Sequence, residues 1–451
     1  MKRKDFIKNT GLAAASLAMF PTSNLFASSS DTKVKVAMVG VGLRGQNHLE
    51  LLLKRHDVEI VAICDIDERM LTASKELIKE SGKQMPQIFT GDIYAWKKML
   101  ELKYLDTIII ATPWEWHKEM IISSIESGLK YVASEVIIGI TLQDHWDVVM
   151  AAERYKAHVM MLENVCYRRD VMAILNMVRQ GLFGELIHLQ GGYQHDLREV
   201  KFNDGINAYG HGCEMGDKAW SEAKWRTHHS IYRNGDLYPT HGIGPIAQYT
   251  NINRGNRFTN LSSFSSKARG LHNHIVNTCG ENHPNAKINF KLGDVVTTSI
   301  NCANGETVLL QHDTNLPRPY SLGFRVQGTN GLWMDVNNGI YIEGKSVKPH
   351  QWDNAKTWLD KYDHPLWAKW SKDAEGAGHG GMDFFVIHSF IESIKRNLPT
   401  VLDVYDAATW SSIAPLSEKS IELGNQTVEF PDFTNGQWMY RKPNFAFNDD
   451  F

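Results

Sequence analysis

Three glycines at the spacing G-x-G-x-x-G, Gly40, Gly42 and Gly45, directly follow the apolar run Val34-Lys35-Val36-Ala37-Met38-Val39. In such a loop Gly40 permits a tight turn out of a strand, Gly42 lets the backbone approach a pyrophosphate, and Gly45 allows close packing of the next helix. A second apolar run, Glu59-Ile60-Val61-Ala62-Ile63-Cys64, ends in Asp65. That acid stands about twenty residues beyond the last glycine, where a carboxylate accepts from both ribose hydroxyls and repels a 2′-phosphate. The implied ligand is NAD rather than NADP. Other clusters offer less. His228-His229, His272-Asn273-His274 and Gly376-Ala377-Gly378-His379-Gly380-Gly381 lack the ligand spacing of a zinc hydrolase, so no metal is expected. The 51 acidic residues single out no pair of catalytic carboxylates, and the five scattered cysteines define no disulfide framework.

The elements that would hold the loop alternate apolar strands with helical patterns over residues 31–165, the signature of a doubly wound parallel α/β sheet. A strand over 105–111 leads to Trp114-Glu115-Trp116-His117, and one over 130–134 leads to Glu135-Val136. Thr141 can cap a helix reaching Tyr155, and a last strand over 158–162 leads to Glu163-Asn164. Ligands of such sheets lie beyond the carboxyl ends of the strands, where these loops stand. From 166 to 451 the texture becomes α+β. Alternating runs over 185–193, 261–267, 295–302, 307–313 and 320–327 predict an open-faced, mostly antiparallel sheet, closed by helices over 382–396 and 404–423. The polar segment 194–236 is too long for a plain connection and reads as a functional insertion.

At 451 residues the chain exceeds one core, so a Rossmann domain and a sheet domain account for its length. Hydrophobic residues at 43%, charged residues at 22% and a net charge of −3 describe a globular protein with no electrostatic reason to bind nucleic acid or an anionic membrane. Residues 1–30 carry Lys2-Arg3-Lys4-Asp5-Phe6-Ile7-Lys8, an apolar run over 11–20 and a small polar end, an export signal with a twin-arginine-like start. The run is too short to span a bilayer, so no transmembrane segment is expected and the mature chain should be periplasmic or otherwise exported. An open sheet face would also offer a surface for a homo-oligomer.

This organisation resembles the glucose-fructose oxidoreductase superfamily. Its dehydrogenases carry Glu-Lys-Pro after the fifth strand and an Asp-x-x-x-His pair on the second domain. Here the first reads Glu135-Val136-Ile137, and the position four before His241 is Leu237, with Asp236 one residue away. The runs Leu43-Arg44, Trp114 to His117, Glu135-Val136, Glu163-Asn164-Val165-Cys166-Tyr167-Arg168-Arg169, Gly192-Tyr193-Gln194-His195-Asp196, Lys224-Trp225-Arg226 and Tyr238-Pro239-Thr240-His241 resemble glycoside hydrolase family 109, NAD-dependent α-N-acetylgalactosaminidases. The resemblance implies that Leu43, Arg44, Asp65, Trp114, Glu115, Trp116, His117, Glu135, Val136 and Asn164 line the NAD site. Tyr193, Arg226, Pro239, Thr240, His241 and Tyr320 would contact the sugar, and Tyr238 both ligands. It also implies retaining hydrolysis of terminal α-linked N-acetylgalactosamine through oxidation at C3, elimination across C1 and C2, water addition and re-reduction. His241, titrating near neutrality when unperturbed, suits the base. Tyr193 and Tyr238 complete the catalytic set, Tyr193 as an acid or base if a cation lowers its pKa. An NAD-dependent sugar or polyol dehydrogenase, or an NAD-bound sugar sensor, are the alternatives. Replacing Asp65 by Ala should weaken NAD retention, measured as the NAD released when the purified protein is denatured; full retention would contradict the ribose assignment.

Overall fold

A computed structural model of the chain describes residues 33–451. The expected export signal lies outside the described residues. Six parallel strands form the first sheet in the order β3-β2-β1-β4-β5-β6: β1 Val34–Val39, β2 Val58–Cys64, β3 Gln87–Phe89, β4 Thr107–Ile110, β5 Tyr131–Ser134 and β6 His158–Met161. β4 and β5 are buried at every residue, as continuous apolar strands covered on both faces must be. Helices α1 Leu43–Lys54, α2 Glu68–Glu80, α3 Trp114–Glu126 and α4 Leu142–Tyr155 connect them. At the start of α4, Thr141 and Asp144 exchange side-chain and backbone bonds in a capping box. Strand order reverses between β1 and β4, which opens a crevice at their carboxyl ends. The glycine loop, Asp65, Trp114, Glu135 and Glu163 all stand at that rim.

After α5 Arg169–Arg179 the chain builds a nine-stranded sheet ordered β14-β13-β12-β11-β7-β10-β9-β8-β15. In chain order come β7 Leu186–Gln194, α6 Arg226–Tyr232, α7 Thr240–Tyr249, β8 Phe258–Ser265, α8 Gly270–Cys279, β9 Val295–Cys302, β10 Thr307–Asp313 and β11 Arg325–Gly328. Then follow β12 Gly331–Met334, β13 Gly339–Ile342, β14 Asp353–Asn354, α9 Met382–Lys395, α10 Val404–Ser411, α11 Ile413–Glu422 and β15 Val428–Glu429. All strand pairs are antiparallel except β7 with β10. Glycines set how closely α7 rides on β7. A Cβ on Gly242 would lie 2.4 Å from the Gly192 nitrogen, and one on Gly244 2.9 Å from the Cys166 sulfur. Their chain neighbours, His241 on the helix and Tyr193 on the strand, are thereby brought together.

Some expectations are corrected. The strand expected from Tyr320 begins only at Arg325; Tyr320 stands in the preceding loop, next to a bridge between Gln194 and Ser321. The last helix is two, broken at Ser412, and strands β12 to β14 lie in a stretch to which the sequence reading assigns no element. Cys213 and Cys279 form a disulfide, while Cys64, Cys166 and Cys302 are buried thiols. Among the described residues no helix is long and apolar enough to cross a membrane.

Candidate active site at the dinucleotide cleft

A cavity of about 350 Å³ opens at the crevice, lined by Gly40, Gly42, Leu43, Arg44, Asp65, Trp114, Trp116, Glu135, Val136, Arg226 and Tyr238 among others. Gly40 has a φ of 81°. A Cβ on Gly45 would lie 2.1 Å from the Gly40 oxygen, so only glycine allows α1 to meet the turn. A Cβ on Gly42 would meet no protein atom within 4 Å, which leaves its backbone open to a ligand in the cavity. Asp65 accepts from Val41 N at 2.8 Å and from Asp67 N at 2.9 Å. Burial raises its pKa against those amides, and each oxygen keeps a lone pair for a ribose hydroxyl. These features fit a dinucleotide, with Asp65 toward its adenosine end.

Three expected residues stand elsewhere. His117 is fully buried, its Nδ1 2.6 Å from the Ile137 oxygen and its Nε2 2.7 Å from the Thr112 oxygen, so it ties two strand-end loops together from outside the cavity. Glu115 is half-exposed, its carboxylate 3.5 Å from His229. Asn164 is buried and donates to Asp383 at 2.7 Å.

Arg44 holds the cavity's inner end. Its Nε donates to Glu135 Oε1 at 2.6 Å, and its two Nη groups to the carboxylate of Asp383 at 2.8 and 3.0 Å. His48 Nε2 reaches the same Glu135 oxygen at 2.6 Å. Burial opposes ionisation of Glu135, but Arg44 and His48 outweigh it and hold the carboxyl down at about 2. The pair's contribution is therefore complete above the ordinary glutamate value of 4.5 and is lost only as pH falls toward 2. Burial opposes ionisation of Asp383 too, but His379 and Arg44 outweigh it and hold the carboxyl far below the usual range, with Asn164 donating to the same group.

Beside this lies an aromatic cluster. Tyr238 is 4.6 Å from Tyr193 and 4.9 Å from His241, ring centre to ring centre, and Tyr193 is 5.2 Å from His241. Because Tyr238 also lines the cavity, the cluster and the cleft are one continuous site. His241 Nδ1 lies 2.8 Å from Glu163, a fully buried carboxylate. The absent aspartate is thus replaced by Glu163 from the end of β6, not by Asp236. Asp236 instead accepts from Tyr238 N at 3.3 Å, and burial pushes its carboxyl up to about 7. Glu163 fixes Nδ1 as the protonated nitrogen and leaves the Nε2 lone pair free to accept. Arg226 lies 5.3 Å from the Trp114 ring and 5.0 Å from the Tyr238 ring, paired with Glu222. Tyr320 is half-exposed, 4.9 Å from His195. Pro239 and Thr240 are buried; the Pro239 carbonyl accepts from Gly242 and Ile243 as the first turn of α7. The expectation of an acidified Tyr193 is corrected: burial raises its pKa and Arg226 offsets only part of that, so the resting phenol is protonated, as is Tyr238. Tyr193 Oη lies 3.1 Å from His195 Nδ1.

Several site residues carry no signal that the sequence reading used. Asp383 and His379 are joined at 2.7 Å at the start of α9, and His379 comes within 3.4 Å of Arg44. The glycine-flanked His379 followed four residues later by an acid could have marked them. The insertion's Ser221, Glu222, Lys224 and Trp225 also line the cavity.

Gly42→Ala should leave the apoprotein's melting temperature unchanged but abolish the upward shift with NAD. Gly45→Ala should lower it without ligand by several degrees, because a backbone contact is displaced. Equal behaviour of the two in differential scanning fluorimetry would contradict this division of roles.

Residues 34–163 match the family described as "Oxidoreductase family, NAD-binding Rossmann fold", and residues 167–440 that described as "Glycosyl hydrolase 109, C-terminal domain". Among similar proteins, a "Glycosyl hydrolase family 109 protein" of Stenotrophomonas maltophilia is 56% identical over 99% of both chains. An "Alpha-N-acetylgalactosaminidase" of Tannerella forsythia is 52% identical over 93% of this chain and 90% of that one. A solved structure of levoglucosan dehydrogenase with NADH aligns over 89% of this chain and 100% of that chain at TM-score 0.65 and 18% identity, a likeness of fold. With an NAD-binding Rossmann domain and a full-length match of this strength, the chain belongs to glycosyl hydrolase family 109.

Proposed function

We propose that this hydrolase releases terminal α-linked N-acetylgalactosamine with retention of configuration, through a cycle that begins and ends with oxidised NAD. The relative from Tannerella forsythia bears that activity in its name. The observation that carries the reading here is the continuity of the aromatic cluster with the dinucleotide cavity through Tyr238. NAD, when bound along Gly42, Asp65 and Glu135, would take the hydride from sugar C3 and later return it.

The chain's own groups handle the protons. His241 Nε2, oriented by Glu163, takes the C3 hydroxyl proton. Once C3 is a ketone, the C2 proton is acidic and its loss expels the group on C1. Tyr193 is too weak an acid at rest to be a standing base, but its contact with His195 lets it pass its own proton on as it accepts another. His379, half-exposed and bonded to Asp383, is a second histidine-carboxylate pair and suits protonation of the leaving oxygen. Arg226, a fixed fork of donors between two rings, suits the sugar's hydroxyl or acetamido oxygens. The dehydrogenase alternative lacks its lysine: Val136 lines the cavity at that position.

Purified protein should hydrolyse p-nitrophenyl α-N-acetylgalactosaminide for many turnovers without added NAD. A dehydrogenase would oxidise at most one equivalent of substrate, with NADH absorbance at the end and no p-nitrophenol, and a sensor would produce neither. Tyr193→Phe and His241→Ala should each lower kcat by roughly 10²–10⁴-fold with NAD still bound; rates within a few-fold of wild type would remove them from the chemistry. His379→Ala should slow substrates with poor leaving groups more than the nitrophenyl glycoside.

We also propose that the chain is exported by the signal in residues 1–30. The Cys213–Cys279 bridge supports this, since disulfides persist in oxidising compartments. N-terminal sequencing of the protein from periplasmic extract should find residues 1–30 or thereabouts removed; an intact N-terminus confined to the cytoplasm would contradict export.

A further inference from the structure

The insertion over residues 194–236 supplies Arg226 to the sugar cluster, yet its preceding ten residues have no part in the chemistry above. They cross the dinucleotide cleft. Ser221, Lys224 and Trp225 line the cavity from the second domain, opposite a wall built from the first. Lys224 Nζ lies 3.6 Å from Asp67 Oδ2, two residues beyond Asp65 and so at the adenosine end. Next to it the Arg69 guanidinium lies 4.7 Å from the Trp220 ring centre. Toward the other end, Trp225 meets Trp114 edge to face at 5.1 Å.

The far side of this segment is fixed. Asn203 Nδ2 donates to the Trp220 carbonyl at 2.7 Å, its Oδ1 accepts from Trp220 N at 3.2 Å, and Cys213 is tied to Cys279. The Thr227 hydroxyl donates to the Lys201 carbonyl, which fixes the start of α6. A segment anchored at both ends to its own domain and latched across the cleft to the other covers whatever the cleft holds.

We propose that residues 216–226 are a strap that retains NAD, with Lys224 and Arg69 as its latch. The inference rests on the reading that one NAD serves many turnovers. It explains how a redox-neutral enzyme keeps its cofactor in a compartment without NAD: escape requires the strap to lift.

The test uses holoprotein carrying its own NAD, diluted into NAD-free buffer, with released NAD collected by ultrafiltration over time and quantified by enzymatic reduction. Lys224 and Arg69 side chains are 43% and 49% exposed, so replacing them leaves no cavity, and the Asp67 carboxylate they share keeps its bond from the Arg69 backbone N–H. The double variant Lys224→Ala/Arg69→Ala should release NAD at least tenfold faster than wild type at an unchanged melting temperature of the NAD-stripped protein. Lys224→Arg alone should stay within twofold. Release at the wild-type rate from the double variant would overturn the strap, as would equally fast release from Lys224→Arg. No substrate is present, so this outcome is independent of the nitrophenyl glycoside assay that tests the reaction.

Discussion

The guanidinium of Arg44 joins the three parts of the chain that must agree for a site to exist. It belongs to the glycine loop, its Nε is held by Glu135 at the end of β5, and its Nη groups by Asp383 on α9, 339 residues away. Neither carboxylate is free to leave, because each is buried and this cation helps hold it ionised, together with His48 at Glu135 and His379 at Asp383. Removing one partner of such an arrangement leaves an unpaired buried charge, which typically costs about 3–5 kcal/mol. The interaction therefore sets the distance between the glycine loop and the helix that follows His379.

The end of β6 plays the matching role for the sugar side. Two consecutive residues there reach opposite ways: Glu163 to His241 and Asn164 to Asp383. The two imidazoles of the proposed chemistry, His241 and His379, are thus referenced to one strand end, one directly and one through a carboxylate. Tyr193 is referenced to the same point by packing, since Gly192 and Gly242 let β7 and α7 approach to a distance no Cβ would permit. Tyr193 stands on a strand and His241 in the first turn of a helix, whereas His379 stands in a glycine-rich turn before α9.

Much of the first domain is legible in the sequence because its strands, covered on both faces, are uninterrupted apolar runs, and because the glycine loop has strict steric demands. β7, β9 and β10 are legible for the opposite reason, an alternation imposed by one covered face. β12 to β14 are not, being two to four residues long. At the site, local motifs find groups near one another in the chain and fail for those that meet only in space. Glu163 and His241 are 78 residues apart, and Asp383 looks like any of 51 acids until Arg44 and Asn164 are seen to converge on it. His117 shows the converse: a histidine in a cofactor motif that serves by tying the backbone behind the site. The high pKa of Tyr193 could not be read either, since it reflects burial, a property of the assembled sheet.

The central claim is that a glycosidic bond is cleaved through oxidation of the sugar ring, and the fate of two hydrogens tests it most directly. Turnover in heavy water should place solvent deuterium at C2 of the released N-acetylgalactosamine, because that proton passes to protein groups that exchange with solvent. Substrate deuterated at C3 should keep its label, because that hydrogen travels as hydride and never meets water. Product with no deuterium at C2 and no isotope effect from labelling C2 or C3 would contradict the account.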